Sequence, residues 1–117
     1  MRRVSRNLGL AAVAAGIVLS SGAAFAADPV KGKANFMKYG CWQCHGTMGQ
    51  GSPVTGKTLA PNTLPFEAML AFVRNTNRQM PPYREEVLPR ADLEDIHAYL
   101  SSIPKGPDAS SIDLLKN

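Results

Sequence analysis

Apolar side chains recur at helical spacing in three stretches of the chain. The first begins at Asp28-Pro29, an N-cap residue followed by proline at the first helical position, and predicts a helix to about Tyr39, stopped by Gly40. Gly32 and Phe36 share one face of it, and a glycine there permits close approach by another helix. The second stretch runs from Pro65 to about Asn75, with Phe66, Met69, Leu70 and Val73 forming an apolar stripe. The third runs from about Arg90 to Ser102, with Leu93, Ile96, Leu100 and Ile103 in register and Tyr99 beside them. Asp92, Glu94 and Asp95 lie in its first turns, where carboxylates favour the helix dipole, and Pro104 ends it. Between these helices the pattern dissolves. Residues 46–64 hold Gly46, Gly49, Gly51, Pro53, Gly56 and Pro61 and read as a long loop, of the kind that wraps around something. From Arg74 to Pro89 the chain is again irregular, and Pro81-Pro82 fixes an extended path. The expected class is all-α, with three main helices. The end from about residue 104 carries Ile112, Leu114 and Leu115 among polar residues, and is expected as a docked strap or a partly mobile end.

The beginning of the chain has a different pattern. Met1-Arg2-Arg3-Val4-Ser5-Arg6 is basic, Leu8 to Leu19 is apolar, and small residues follow through Ala27. This is the layout of a secretory signal peptide, and the apolar run is shorter than the ~20 residues of a spanning helix. The expected organisation is a signal peptide over residues 1–26, cleaved after Ala26 or Ala27, and one mature domain over 27–117, exported to the periplasm. An uncleaved membrane anchor is the alternative. The whole chain has 13 Lys+Arg against 9 Asp+Glu; without Arg2, Arg3 and Arg6 the balance is 10 against 9. The mature part therefore carries no basic excess pointing to nucleic acid or an acidic membrane surface.

A domain of about 90 residues buries a modest core and usually needs a staple. The chain has two cysteines, both in Cys41-Trp42-Gln43-Cys44-His45. Two thiols on one tight turn, followed at once by histidine, form the attachment pattern of c-type haem. The thiols add across the two porphyrin vinyl groups, and the adjacent imidazole becomes an axial iron ligand. A zinc site would need four ligands, with only His45 and His97 left to complete one. A redox dithiol belongs beside a βαβ pattern that is not present. One motif predicts one haem, with Cys41 and Cys44 as its covalent anchors and His45 as the proximal ligand.

The second axial position separates electron transfer from ligand chemistry. Met48 is three residues after His45 and on its side of the ring. Met37 and Met69 fall within predicted helices, where methionine commonly fills a core. Met80 lies 35 residues beyond His45 on the proline-stiffened segment, far enough to pass round the porphyrin. It is the expected distal ligand. His97, between Ile96 and Ala98 with polar neighbours at Glu94 and Ser101, reads as a solvated or packed helical residue.

Taken together, Gly32-x-x-x-Phe36, Cys41-x-x-Cys44-His45, Met80-Pro81 and Ile96-x-x-Tyr99-Leu100 resemble the successive signatures of the class I c-type cytochromes. The resemblance spans essentially the whole mature part. It implies the small cytochrome c fold wrapped around one haem, with first and last helices crossing where Gly32 and Phe36 meet Ile96 and Tyr99. It also implies a single-electron carrier of the periplasm. More narrowly, the sequence looks like small cytochromes that accept electrons from periplasmic dehydrogenases and pass them towards an oxidase or another cytochrome of the respiratory chain. The family often places a proline about twelve residues after the haem histidine, its carbonyl accepting the far imidazole proton. Lys57 stands there instead, in Gly56-Lys57-Thr58-Leu59, and its own carbonyl is available for the same role.

The expected function is thus a non-enzymatic outer-sphere electron carrier, with redox proteins as partners and no nucleic acid. Leu59, Phe66, Leu70, Val73 and Leu93 are expected to supply the apolar surroundings of the haem. Trp42 and Gln43 belong either to the partner-facing surface or to packing over the ring. Lys57, Arg74, Arg78 and Arg84 either ring the haem edge and propionates or are ordinary surface charge. The alternative function is a ligand-binding or peroxidase-like haem protein with a displaceable sixth ligand.

Overall fold

The computed structural model describes residues 26–116. Four α-helices follow in order: α1 (Pro29–Lys38), α2 (Trp42–His45), α3 (Phe66–Asn75) and α4 (Arg90–Ser102), with two short 3-10 turns after them. Among the described residues there is no strand, only an isolated bridge between Ser52 and Gly56. The three long helices stand where the apolar periodicity puts them. The single-turn α2 is the addition, and it carries the haem motif itself. The reading of a signal peptide falls on residues that, except for Ala26, lie outside those described. Among the described residues no helix is long and apolar enough to cross a membrane.

Helix α1 starts because the Asp28 side chain accepts from the amides of Val30 (2.8 Å) and Lys31 (3.3 Å), two donors with no partner inside the helix. The amide of Asp28 in turn donates to Asp95 Oδ1 at 2.7 Å, which ties the start of α1 to α4. Gly40, at φ 77°, turns the chain out of α1 and into the cysteine motif. Helix α4 has no side-chain cap of its own at Pro89; the Glu85 carboxylate accepts from the Arg90 amide at 2.8 Å instead.

The principal packing is α1 on α4, with α3 meeting α4 over a smaller area. Gly32 is the crossing point: a Cβ there would run into the backbone carbonyl of Asp95 and the Tyr99 Cβ. One turn on, the Phe36 ring lies 5.8 Å from the Tyr99 ring, tilted by 57°. Phe36, Leu88 and Leu100 are fully buried, and Met69, Val73, Leu93, Ile96 and Tyr99 complete the core around them. The expected crossing of first and last helices is therefore present. Gly32→Val is expected to separate them at the cost of about 3 kcal/mol, near the upper end for overpacking. For a domain of this size that is a fall in Tm of roughly 12–24 °C, measured by thermal unfolding of the haem-loaded protein.

The end of the chain does not dock. Leu114 is 94% exposed and Leu115 59%, and the tail's ion pairs, Lys105–Asp108 and Lys116–Asp113, are local. Of the two expectations for the tail, the docked strap is not what the structure shows.

Candidate haem site

The motif turn is positioned from both sides. Cys41 packs against the core, while Cys44 and Trp42 are exposed and His45 is half-buried. The His45 amide closes onto the Cys41 carbonyl (3.0 Å) and the Gly46 amide onto the Trp42 carbonyl (2.9 Å). This single helical turn holds both thiols and the imidazole within five residues. Burial pushes the Cys41 thiol up to about 11. Among the described residues no group of three or more His, Cys, Asp or Glu is placed to hold a metal ion, so the zinc reading finds no ligand set.

The imidazole of His45 is oriented from behind. Its Nδ1 lies 2.7 Å from the Lys57 carbonyl oxygen, an acceptor only, so Nδ1 carries the proton and donates. Nε2 is left with its lone pair free for a metal. Lys57 thus does with its backbone what a proline carbonyl does in the resembled family. The loss of proline stiffness is offset by local hydrogen bonds. Gly51 N donates to the His45 carbonyl (2.8 Å), Ser52 N to that of Gly56 (2.8 Å) and Thr55 Oγ1 to that of Cys44 (2.9 Å). Thr58 Oγ1 reaches the Gln50 carbonyl (3.0 Å). Gly56 lies so close beneath the motif that a Cβ would meet the Cys44 carbonyl and His45 Nδ1. Gly56→Val is expected to lift the Lys57 carbonyl off His45 and so to lower the basicity of the imidazole as a ligand; the imidazole Nδ1 proton, followed by NMR in the haem-loaded protein, checks it through faster exchange with water.

Met80 lies on the segment between α3 and α4, half-buried and packed against the core together with Cys41, Leu59, Phe66, Leu70 and Tyr83. The other methionines are placed differently. Met69 is buried within α3, and Met37 and Met48 are exposed. The Met80 segment is held by Arg74, whose guanidinium donates to the carbonyls of Tyr83 (2.7 Å) and Leu88 (2.8 Å) and pairs with Glu85. Arg74 is therefore neither free surface charge nor available to a propionate. Tyr83 N donates to the Val73 carbonyl (2.9 Å), and its phenol donates to the Tyr39 carbonyl (2.8 Å). The Tyr83 phenol is raised above the ordinary tyrosine range, first by burial and then by the two nearby cysteine thiols. The bond to the Tyr39 carbonyl, two positions before Cys41, puts Tyr83 beside the motif. The sequence marks neither Tyr83 nor Thr55 as a site residue. An aromatic three positions after Met80 was the available signal for the first, and there is none for the second.

His97 is half-buried rather than solvated. Its Nε2 lies 2.8 Å from the Leu64 carbonyl, and the ring stacks edge-on against Phe66 at 5.7 Å. It clamps the loop before α3. Val73 and Leu93 are buried in the core, whereas Leu59, Phe66 and Leu70 form a half-buried layer on its edge.

These residues fit a haem. A free imidazole nitrogen and a thioether suit the two axial positions of porphyrin iron, two adjacent thiols suit its vinyl groups, and no carboxylate is among them. The half-buried apolar layer is surface that a large planar apolar cofactor would cover. Among the described residues the Thr63 hydroxyl, on the loop into α3, is the one buried side-chain polar atom without a partner.

Comparison with curated proteins and with solved structures finds no match. A family model described as cytochrome c oxidase, cbb3-type, subunit III matches residues 27–100, which run from the start of α1 through the motif and Met80 to near the end of α4. A match over more than half the chain, on a helical fold that presents the haem-attachment turn, establishes that the chain belongs to this family and is a class I c-type cytochrome with covalently bound haem c.

Proposed function

We propose that the protein is an outer-sphere one-electron carrier in which Cys41 and Cys44 form the thioethers and His45 and Met80 ligate the iron. The observation that carries this reading is the His45 Nδ1 to Lys57 carbonyl contact of 2.7 Å, which leaves the other ring nitrogen with a lone pair available to a metal. Bound there, haem supplies a reversible ferric–ferrous couple, and thioether ligation favours the ferrous state. The chain's residues do the rest. The Lys57 carbonyl fixes the imidazole tautomer, the Arg74 hydrogen bonds hold the Met80 segment, and Leu59, Phe66 and Leu70 keep water from the ring. With both axial positions filled by side chains, electrons enter and leave through the haem edge. Cys44, Trp42 and Gln43 are exposed on the motif turn and form the surface a redox partner meets. Trp42, at 39% exposure, supplies an apolar anchor for such a contact.

The donor we propose is an exported dehydrogenase and the acceptor an oxidase or another cytochrome of the respiratory chain, with the mature domain in the periplasm. The ligand-binding or peroxidase-like alternative needs a displaceable sixth ligand and a distal acid or base, and the one histidine besides His45, His97, is held at the loop before α3 by the Leu64 carbonyl. The test exposes ferrous protein to CO. No spectral change is expected from the carrier; ready CO binding would favour the alternative. For the partner, capture from periplasmic extract on immobilised holoprotein is expected to retain a dehydrogenase that reduces the haem on addition of its substrate. Failure of every retained fraction to reduce it would remove that donor.

A further inference from the structure

The irregular segment 76–89 is tied at several points to the helices on either side of it: the Arg74 guanidinium donates to the Tyr83 and Leu88 carbonyls, and the Thr76 amide to that of Phe72. Tyr83 N holds it to the Val73 carbonyl of α3, and Glu85 joins Arg74 to the first amide of α4. All of these bonds lie on the α3–α4 side. Among the described residues a single hydrogen bond links the segment to anything before α3: the Tyr83 phenol donating to the Tyr39 carbonyl at 2.8 Å, across 44 positions of sequence. Tyr39 is separated from Cys41 by Gly40 alone. Its own phenol goes elsewhere, donating to Asp92 of α4 at 2.5 Å, with Lys38 Nζ 3.1 Å from the same oxygen.

We infer that Tyr83 is a positioning residue for the distal ligand: its hydroxyl latches the Met80 segment to the cysteine turn and so resists departure of the thioether from iron. The inference rests on the reading of Met80 as that ligand. Displacing the thioether requires the segment to swing away from the haem face. The bonds to α3 and α4 can act as a hinge during such a swing, because their partners on the helices, Val73, Arg74 and Arg90, lie next to the segment's two ends. The bond to Tyr39 cannot, since it spans the two halves of the site. Closing the site then includes forming the Tyr83–Tyr39 bond, and opening it includes breaking that bond.

The test is an imidazole titration of the ferric holoprotein, following loss of the weak far-red band that thioether ligation gives. Tyr83→Phe keeps the ring and removes the latch, and imidazole affinity is expected to rise roughly three- to tenfold, the equivalent of one net hydrogen bond. Tyr39→Phe removes the bond to Asp92 but leaves the carbonyl acceptor in place. It is expected to lower Tm while leaving imidazole affinity within about twofold of wild type. With the band present in wild type, unchanged imidazole affinity in Tyr83→Phe or an equal rise in Tyr39→Phe overturns the latch alone. A wild-type ferric spectrum without the band overturns the Met80 assignment, and the latch with it.

Discussion

Met80→Ala is expected to retain covalent haem while opening the sixth coordination position. The covalent anchors, Cys41 and Cys44, lie on the other side of a long stretch of chain and do not depend on the thioether. What the substitution removes is a half-buried side chain on a segment fixed independently by Arg74 and Tyr83. The segment should therefore keep its course, and a gap should replace the ligand. Water or an added ligand can then reach the iron, and the ferrous form should bind CO. Loss of the thioether also removes its preference for ferrous iron. The reduction potential should fall on the order of 0.1–0.3 V, a fraction of the ~0.8 V that axial ligation spans. Potentiometric titration and a CO difference spectrum check both halves. An unchanged potential with no CO binding would remove Met80 from its role.

Cys41→Ala is expected to have the largest effect on maturation. Cys41 differs from Cys44 in packing against the core. Its thioether would join the haem to the turn between α1 and α2. Replacement by alanine removes a covalent anchor and leaves unfilled space against the core. A domain of this size relies on its cofactor as a staple, so loss of attachment is also loss of stability. The yield of holoprotein should collapse, and the residual haem should be held through one thioether only. Mass spectrometry of the purified protein, with pyridine haemochrome spectra to count thioethers, measures both. Full two-point attachment in the mutant would contradict the assignment.

The helices were legible because their apolar positions are spaced for one buried face, and because Asp28-Pro29, Pro65 and Pro104 mark boundaries by backbone chemistry that acts locally. The Cys41-x-x-Cys44-His45 turn was legible for a similar reason, since attachment to one porphyrin needs those groups adjacent in sequence. Gly32 could be read as a close-approach position, but its partner, the Asp95 carbonyl, belongs to a helix more than sixty residues away. The residues that escaped detection act through long-range backbone groups. Thr55 bonds the Cys44 carbonyl, His97 the Leu64 carbonyl and Tyr83 the Tyr39 carbonyl. A carbonyl acceptor has no residue signature, so pattern reading cannot find its donor. Arg74 illustrates the same limit in reverse. As a lone basic residue at a helix end it reads as surface charge, yet the loop it faces supplies two carbonyls and a carboxylate. The tail carries three apolar residues that suggest docking, but nothing in the short 3-10 turns brings them to the core.

The most direct measurement of the axial ligation is the visible spectrum of the ferric holoprotein at neutral pH. His45 and Met80 together predict a low-spin ferric haem with the weak far-red charge-transfer band of iron–thioether ligation, lost in Met80→Ala and retained in Met69→Leu. A high-spin ferric spectrum, or a low-spin one lacking that band in the unmutated protein, would contradict it.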